Sequence, residues 1–226
     1  MRRALLLSFT LVCSTQTFGQ IAPTTGEYAQ YTGLFAAAAR NDTSKIVKLL
    51  RAGEYPGMRD SHGRTPLHVA AYRRSHDAMR LLVRATHDPN VLDADGYDIV
   101  TIAAAAGDVD TLRVALGMGC SPRTVAGSEG TTALILAARR GSEASVRALI
   151  GAGAPLAHID KSGDSALLAA IAKGDGSRRY VATVKTLIAA GANVNIADGT
   201  GATPLALARA RSYGEIASIL EQAGAR

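Results

Sequence analysis

Asp60-Ser61-His62-Gly63-Arg64-Thr65-Pro66-Leu67-His68-Val69-Ala70-Ala71 carries the architecture of this chain. Glycine suits the positive φ of a tight tip. Thr65-Pro66 reads as a helix start, with a hydroxyl able to cap and a proline whose missing N–H is harmless in the first turn. An apolar, alanine-rich run follows. Near its end the chain writes the same thing again as Gly201-Ala202-Thr203-Pro204-Leu205-Ala206-Leu207-Ala208. Gly96, Gly130 and Gly163 fall between, so that the five glycines are spaced by 33, 34, 33 and 38 residues. A period near 33 predicts a solenoid, in which each unit stacks on its neighbours and the product is a long surface.

After each glycine come a capping residue, a small apolar run, a polar break and a second apolar run. Ala70-Ala71, Ala103-Ala104 and Ala137-Ala138 let one first helix lie close on the next. Leu81-Leu82, Leu149-Ile150 and Leu187-Ile188 fill the gap between units from the second helix. With no Trp, 3 Phe and 7 Tyr, alanine and leucine must supply most of the buried area. Ile216, Ile219 and Leu220 should face inward on the last helix, with Glu215 and Glu221 outward.

The Gly tip followed by Thr-Pro-Leu-His resembles the ankyrin repeat, and Gly191-Ala192-Asn193-Val194-Asn195 is similar to the loop that closes such a repeat. The resemblance implies an all-α solenoid of about six helix–turn–helix units with short β-hairpin loops. Units are expected at about 33–59, 60–92, 93–126, 127–159, 160–197 and 198–226, the first and last being caps whose outer faces meet water. It also implies that His68 bridges backbone groups between hairpins. There are departures. Asp98-Ile99-Val100-Thr101 replaces the Thr-Pro-Leu-His slot in the second full unit. The glycine expected between the two helices is present as Gly107, Gly141 and Gly174 but is Arg74 in the first full unit, where a positive φ would cost about 1 kcal/mol. The fourth full unit carries five extra residues around Gly174–Tyr180, either a contact loop or a solvated extension.

The first residues differ in kind. Met1-Arg2-Arg3, an apolar run from Ala4 to Val12 and small residues at Thr17 and Gly19 have the layout of a secretory signal peptide, with cleavage expected before Gln20. Cys13 follows Val12, a poor fit to a lipid-attachment site. Residues 20–32 read as a flexible lead-in. Removing residues 1–19 takes out Arg2 and Arg3 and leaves a net charge of +4, too little for a dedicated nucleic-acid binder. No later stretch is apolar enough to span a bilayer. Cys120 would then be the single thiol, unable to form an internal disulfide.

The sequence holds no Gly-x-Ser-x-Gly, phosphate-binding loop or His-Glu-x-x-His, and its five histidines lack ligand spacing. Asp93, Asp95, Asp98, Asp108 and Asp110 suit capping better than calcium. The expectation is therefore a non-enzymatic binding module with no cofactor and no metal. Family members bind protein partners through hairpin tips and the exposed side of the first helices. Carried onto this chain, those positions give Arg40, Arg64, Tyr72, Arg73, Tyr97, Arg139, Arg140, Lys173 and Arg211, with Arg178, Arg179 and Tyr180 added from the insertion. Every unit but the second full one places a cation where its first helix ends. Such cations either simply complement the helix dipole or stack into a basic stripe for an acidic protein partner. The whole reads as an exported, periplasmic or secreted monomer. Within that reading the partner is one to be scaffolded, or an exported enzyme or toxin held in an immunity-type complex. An enzyme using residues 174–180 or Cys120 is the alternative of another class.

Overall fold

The computed structural model describes residues 22–86 and 88–226. The proposed signal sequence lies outside them. Six helix pairs follow one another: α2 (Gly33–Ala39) with α3 (Thr43–Arg51), α4 (Pro66–Tyr72) with α5 (His76–Ala85), α6 (Ile99–Ala106) with α7 (Val109–Gly117), α8 (Ala133–Arg139) with α9 (Glu143–Gly151), α10 (Ala166–Lys173) with α11 (Arg178–Ala189), and α12 (Pro204–Ala210) with α13 (Gly214–Gln222). A short helix, α1 (Thr25–Gln30), precedes them. Between α7 and α8 a two-stranded hairpin pairs β1 (Val125–Ala126) with β2 (Thr131–Thr132), Val125 opposite Thr132.

First helices pack on first helices and second helices on second helices along the whole array, which makes two layers. The first layer closes on alanine: Ala37-Ala38, Ala70-Ala71, Ala103-Ala104, Ala137-Ala138 and Ala169-Ala170 are all buried. The second layer is filled by one buried row, Ile46, Met79, Leu112, Val146, Val184 and Ile216. Leu82, Leu149 and Leu187 add a second row, which narrows to Ala115 in the second full unit. On α13, Ile216 and Leu220 are buried, Ile219 is half-buried, and Glu215 and Glu221 are exposed.

All five tip glycines have positive φ, from 64° at Gly130 to 88° at Gly201. Three residues before the tip, Asp60, Asp93, Asp160 and Asp198 each accept two or more hydrogen bonds from backbone N–H groups of their own turn, for Asp160 those of Ser162 and Asp164 at 3.0 Å each. Pro66 and Pro204 open their helices behind capping threonines. Asp98 replaces that pattern with a capping box: its carboxylate accepts from Thr101 N at 2.8 Å and Thr101 Oγ1 accepts from Asp98 N. Asp108 caps α7 by its side chain alone, accepting from Thr111 N at 3.1 Å.

His68 is fully buried. Its Nδ1 accepts from Thr65 N at 3.0 Å, and its Nε2 lies 3.1 Å from the Tyr97 carbonyl in the next unit, to which it donates. Burial pushes its pKa down from 6.5 to about 4. The unfolded chain therefore takes up a proton on falling through pH 6.5 that the folded chain refuses until about pH 4. The stability is complete above pH 6.5 and falls between these values by up to about 3 kcal/mol. Urea titrations from pH 7 to 4 should show this loss in the native chain and a shallower one in His68→Asn.

The inter-helix turns hold one confirmation and one correction. Arg74 has φ 56°, as its slot requires, and Asn41 and Ser212 adopt φ 55° and 60° in the end units. Gly174 does not: it is extended, at φ −77° and ψ 168°, and the left-handed residue of that turn is Gly176. The extra residues have moved the turn and lengthened α11. A short helix lies within the segment expected as the lead-in. Thr24 and Glu27 form a capping box that starts α1.

Candidate partner-binding surface

The first-helix ends present cations at the same place in five of six units. Arg40, Arg73, Arg140 and Arg211 are the C-cap residues of α2, α4, α8 and α12, and Lys173 is the last residue of α10. All five are exposed. Arg73 lies over the ring of Tyr28, 5.0 Å from its centre. In the remaining unit, the second full one, the first helix ends in Ala105-Ala106, yet its neighbours lean over the gap. Arg74 Nε reaches Asp108 Oδ2 at 2.8 Å, and the Arg140 chain passes so near Gly107 that a Cβ there would sit 3.4 Å from Arg140 Cδ.

Four of the residues expected on this surface are inside the protein instead. Arg64 is 1%, Tyr97 3%, Tyr180 4% and Arg139 7% exposed. Arg64 Nε binds Asp60 Oδ2 at 2.7 Å and its Nη2 binds Glu27 of α1. Arg139 turns away from solvent into the next hairpin, where Nη2 meets Asp160 Oδ2 at 2.5 Å and Asp164 Oδ2 at 3.4 Å. Burial raises the Asp164 pKa, and the Arg139 charge opposes it. Tyr97 sits between consecutive hairpins, its ring over Gly127.

Tyr180 packs on the turns of two units. Its ring covers Gly141 and Gly174, where any Cβ would collide at 2.9 and 2.8 Å. Its hydroxyl donates to the Arg139 carbonyl at 3.0 Å. Tyr213 repeats the device one unit on, with its ring against Gly176 and its hydroxyl donating to the Gly174 carbonyl at 2.7 Å. So Arg178-Arg179-Tyr180 is the first turn of α11 and not a loop. Arg178 and Arg179 remain exposed, Arg179 stacked 4.7 Å from the Tyr180 ring centre. Tyr72 is half-buried, with its hydroxyl enclosed.

The family model for Ankyrin repeats (3 copies) matches residues 34–125 and 100–198, most of the chain. The chain is an ankyrin-repeat protein. It is similar to Ankyrin repeat and SOCS box protein 16 of Homo sapiens, 32% identical over 93% of this chain and 46% of that one. Over 59 residues it is 46% identical to the ankyrin repeat protein YahD of Escherichia coli K12, a match covering 26% of this chain and 29% of YahD. It thus spans less than half the length of the curated relatives it matches. An ankyrin repeat domain from Acinetobacter baumannii superposes with a TM-score of 0.80 at 39% identity, covering 85% of this chain and 98% of that domain.

Ankyrin arrays are in general protein-binding modules, and the chemistry at Cys120 agrees with that class. The thiol is buried, and burial, followed by the charges of Asp98 and Asp88, raises its pKa to about 12. Burial thus favours the protonated thiol at neutral pH, the form that reacts slowly. Alkylation followed at the Cys120 peptide should be slower in the native chain than in urea by at least about a hundredfold, given that thiolate fraction. Among the described residues no His, Cys, Asp and Glu cluster suits a metal, and no helix is long and apolar enough to cross a membrane.

Proposed function

We propose that this ankyrin-repeat chain is an exported, monomeric binding module that captures an acidic protein on the first-helix face. The observation carrying this reading is the row of exposed cations at Arg40, Arg73, Arg140, Lys173 and Arg211, one in each of five of the six units, with Arg74 and Arg140 leaning over the interruption. A row of this kind steers and registers an acidic partner. Arg178 and Arg179 widen it at the fifth unit. The N-terminal pattern from Met1 to Gly19 supports the periplasm as the compartment.

Arg140, Lys173 and Arg211 are the residues to reverse, because they are exposed and outside the buried ion clusters. The triple change to Glu should leave folding intact and weaken capture of the partner from a periplasmic extract by about tenfold or more, from roughly 0.5–1 kcal/mol per exposed charge. Capture by the native chain should fade as salt is raised. Capture unchanged by the triple reversal rejects the stripe.

A further inference from the structure

Helix α1 lies where a partner would lie. It spans from the first hairpin to the end of α4, and it touches Arg64 and Arg73, two of the residues that the family resemblance assigns to binding, as well as His62 next to the tip glycine. Each contact is chemically specific. The Glu27 carboxylate divides its two oxygens. Oε2 accepts from Thr24 N at 2.8 Å to close the capping box, and Oε1 meets Arg64 Nη2 and lies 3.5 Å from His62 Nε2. Tyr28 takes the Arg73 guanidinium on its face. Tyr31 donates to Asp60 Oδ2 at 2.6 Å and stacks on Phe35 with ring centres 5.0 Å apart.

The docking is by side chains, and none of the six residues of α1 is itself buried. A helix of six residues has little stability of its own and opens locally without unfolding the array. The surface beneath it is the better organised partner. Asp60 is fixed by N–H groups of its own turn at His62 and Arg64, and Arg64 by Asp60.

We propose that α1 is an internal stand-in for the partner, so that this end of the surface takes a short helical segment of the form Thr-x-x-Glu-Tyr-x-x-Tyr, which binds by displacing α1. The inference rests on the reading of this face as a protein-binding surface. It adds a requirement that the cation row does not impose: an aromatic residue beside the acid and another three further on.

The test uses the full chain. The probe is a fluorescent peptide with the sequence of residues 22–32. In the native chain α1 competes at an effective concentration near millimolar, so a peptide with a Kd of about 0.1 mM should bind about tenfold more weakly than to a chain whose α1 is released by Glu27→Lys with Tyr28→Ala. A peptide carrying Glu27→Lys should bind neither. Equal binding to both chains, or none to the released chain while it stays helical, overturns the proposal. Amide exchange on the native chain gives an answer even if the released chain does not fold. The Tyr28 and Tyr31 amides should exchange far faster than those of α4, and exchange only at the rate of global unfolding would make α1 a fixed cap and overturn the proposal. Dimers formed by exchange of α1 between copies would also overturn it. Loss of capture on reversing Arg140, Lys173 and Arg211, with no peptide binding here, would sink this inference and leave the broader one standing.

Discussion

Arg139→Ala should lower the unfolding free energy by about 3–5 kcal/mol, the cost of leaving a buried charge without its partner. The reason is local. Asp160 and Asp164 are both buried beneath the guanidinium, and Asp160 also holds the N–H groups of Ser162 and Asp164 in its hairpin. Removing Arg139 leaves two carboxylates facing each other in the joint between α8 and the next unit. A linear array has few contacts that bypass such a joint, so the two halves should lose their coupling. Urea unfolding followed by circular dichroism should therefore broaden or split, and not only move to lower denaturant. A shift below 1 kcal/mol with a single sharp transition would show that this cluster is not structural. An Arg139 variant is also a misleading probe of binding, because lost capture would report a damaged array.

Tyr180→Ala should cost a similar amount, about 3–5 kcal/mol for a large buried aromatic. The ring fills the space above Gly141 and Gly174, and nothing else on the described chain covers both turns. Tyr180→Phe keeps the ring and strips only the hydroxyl, which donates to the Arg139 carbonyl and accepts from Arg179 Nη2, so it should cost about 1–2 kcal/mol. The two sites touch, so combining Tyr180→Ala with Arg139→Ala should cost less than the separate losses added together. Equal destabilisation by Ala and Phe at position 180 would mean that the hydroxyl, not the packing, is what matters.

The repeat was legible because its requirements are local. A left-handed tip needs glycine, a helix start needs a capping hydroxyl, and close first helices need alanine, and each appears at its own place in the period. The side chains at the joints were harder to read, because their partners come from other units. Arg64 and Arg139 look like surface cations beside a tip and a helix end. Only the recurring Asp three residues before the tip, at Asp60 and Asp160, signals a carboxylate waiting for them. Tyr180 had a signal of its own, since Tyr180, Val184 and Leu187 continue one face of α11 at helical spacing. The same holds for α1: Thr24 and Glu27 stand in the spacing of a capping box inside a segment whose composition suggests a linker.

Burial of Arg64, Tyr97, Tyr180 and Arg139 narrows the proposed cation row to Arg40, Arg73, Arg140, Lys173, Arg178, Arg179 and Arg211, all exposed along the first helices or at the start of α11. The most direct measurement places a photo-crosslinking residue at Arg140, Lys173 or Arg211, and at Arg147 on the second-helix layer as the comparison, in cells that make the protein. One protein should crosslink from the three first-helix positions and not from Arg147. Crosslinks that come from Arg147 alone, or equally from all four, would contradict the account.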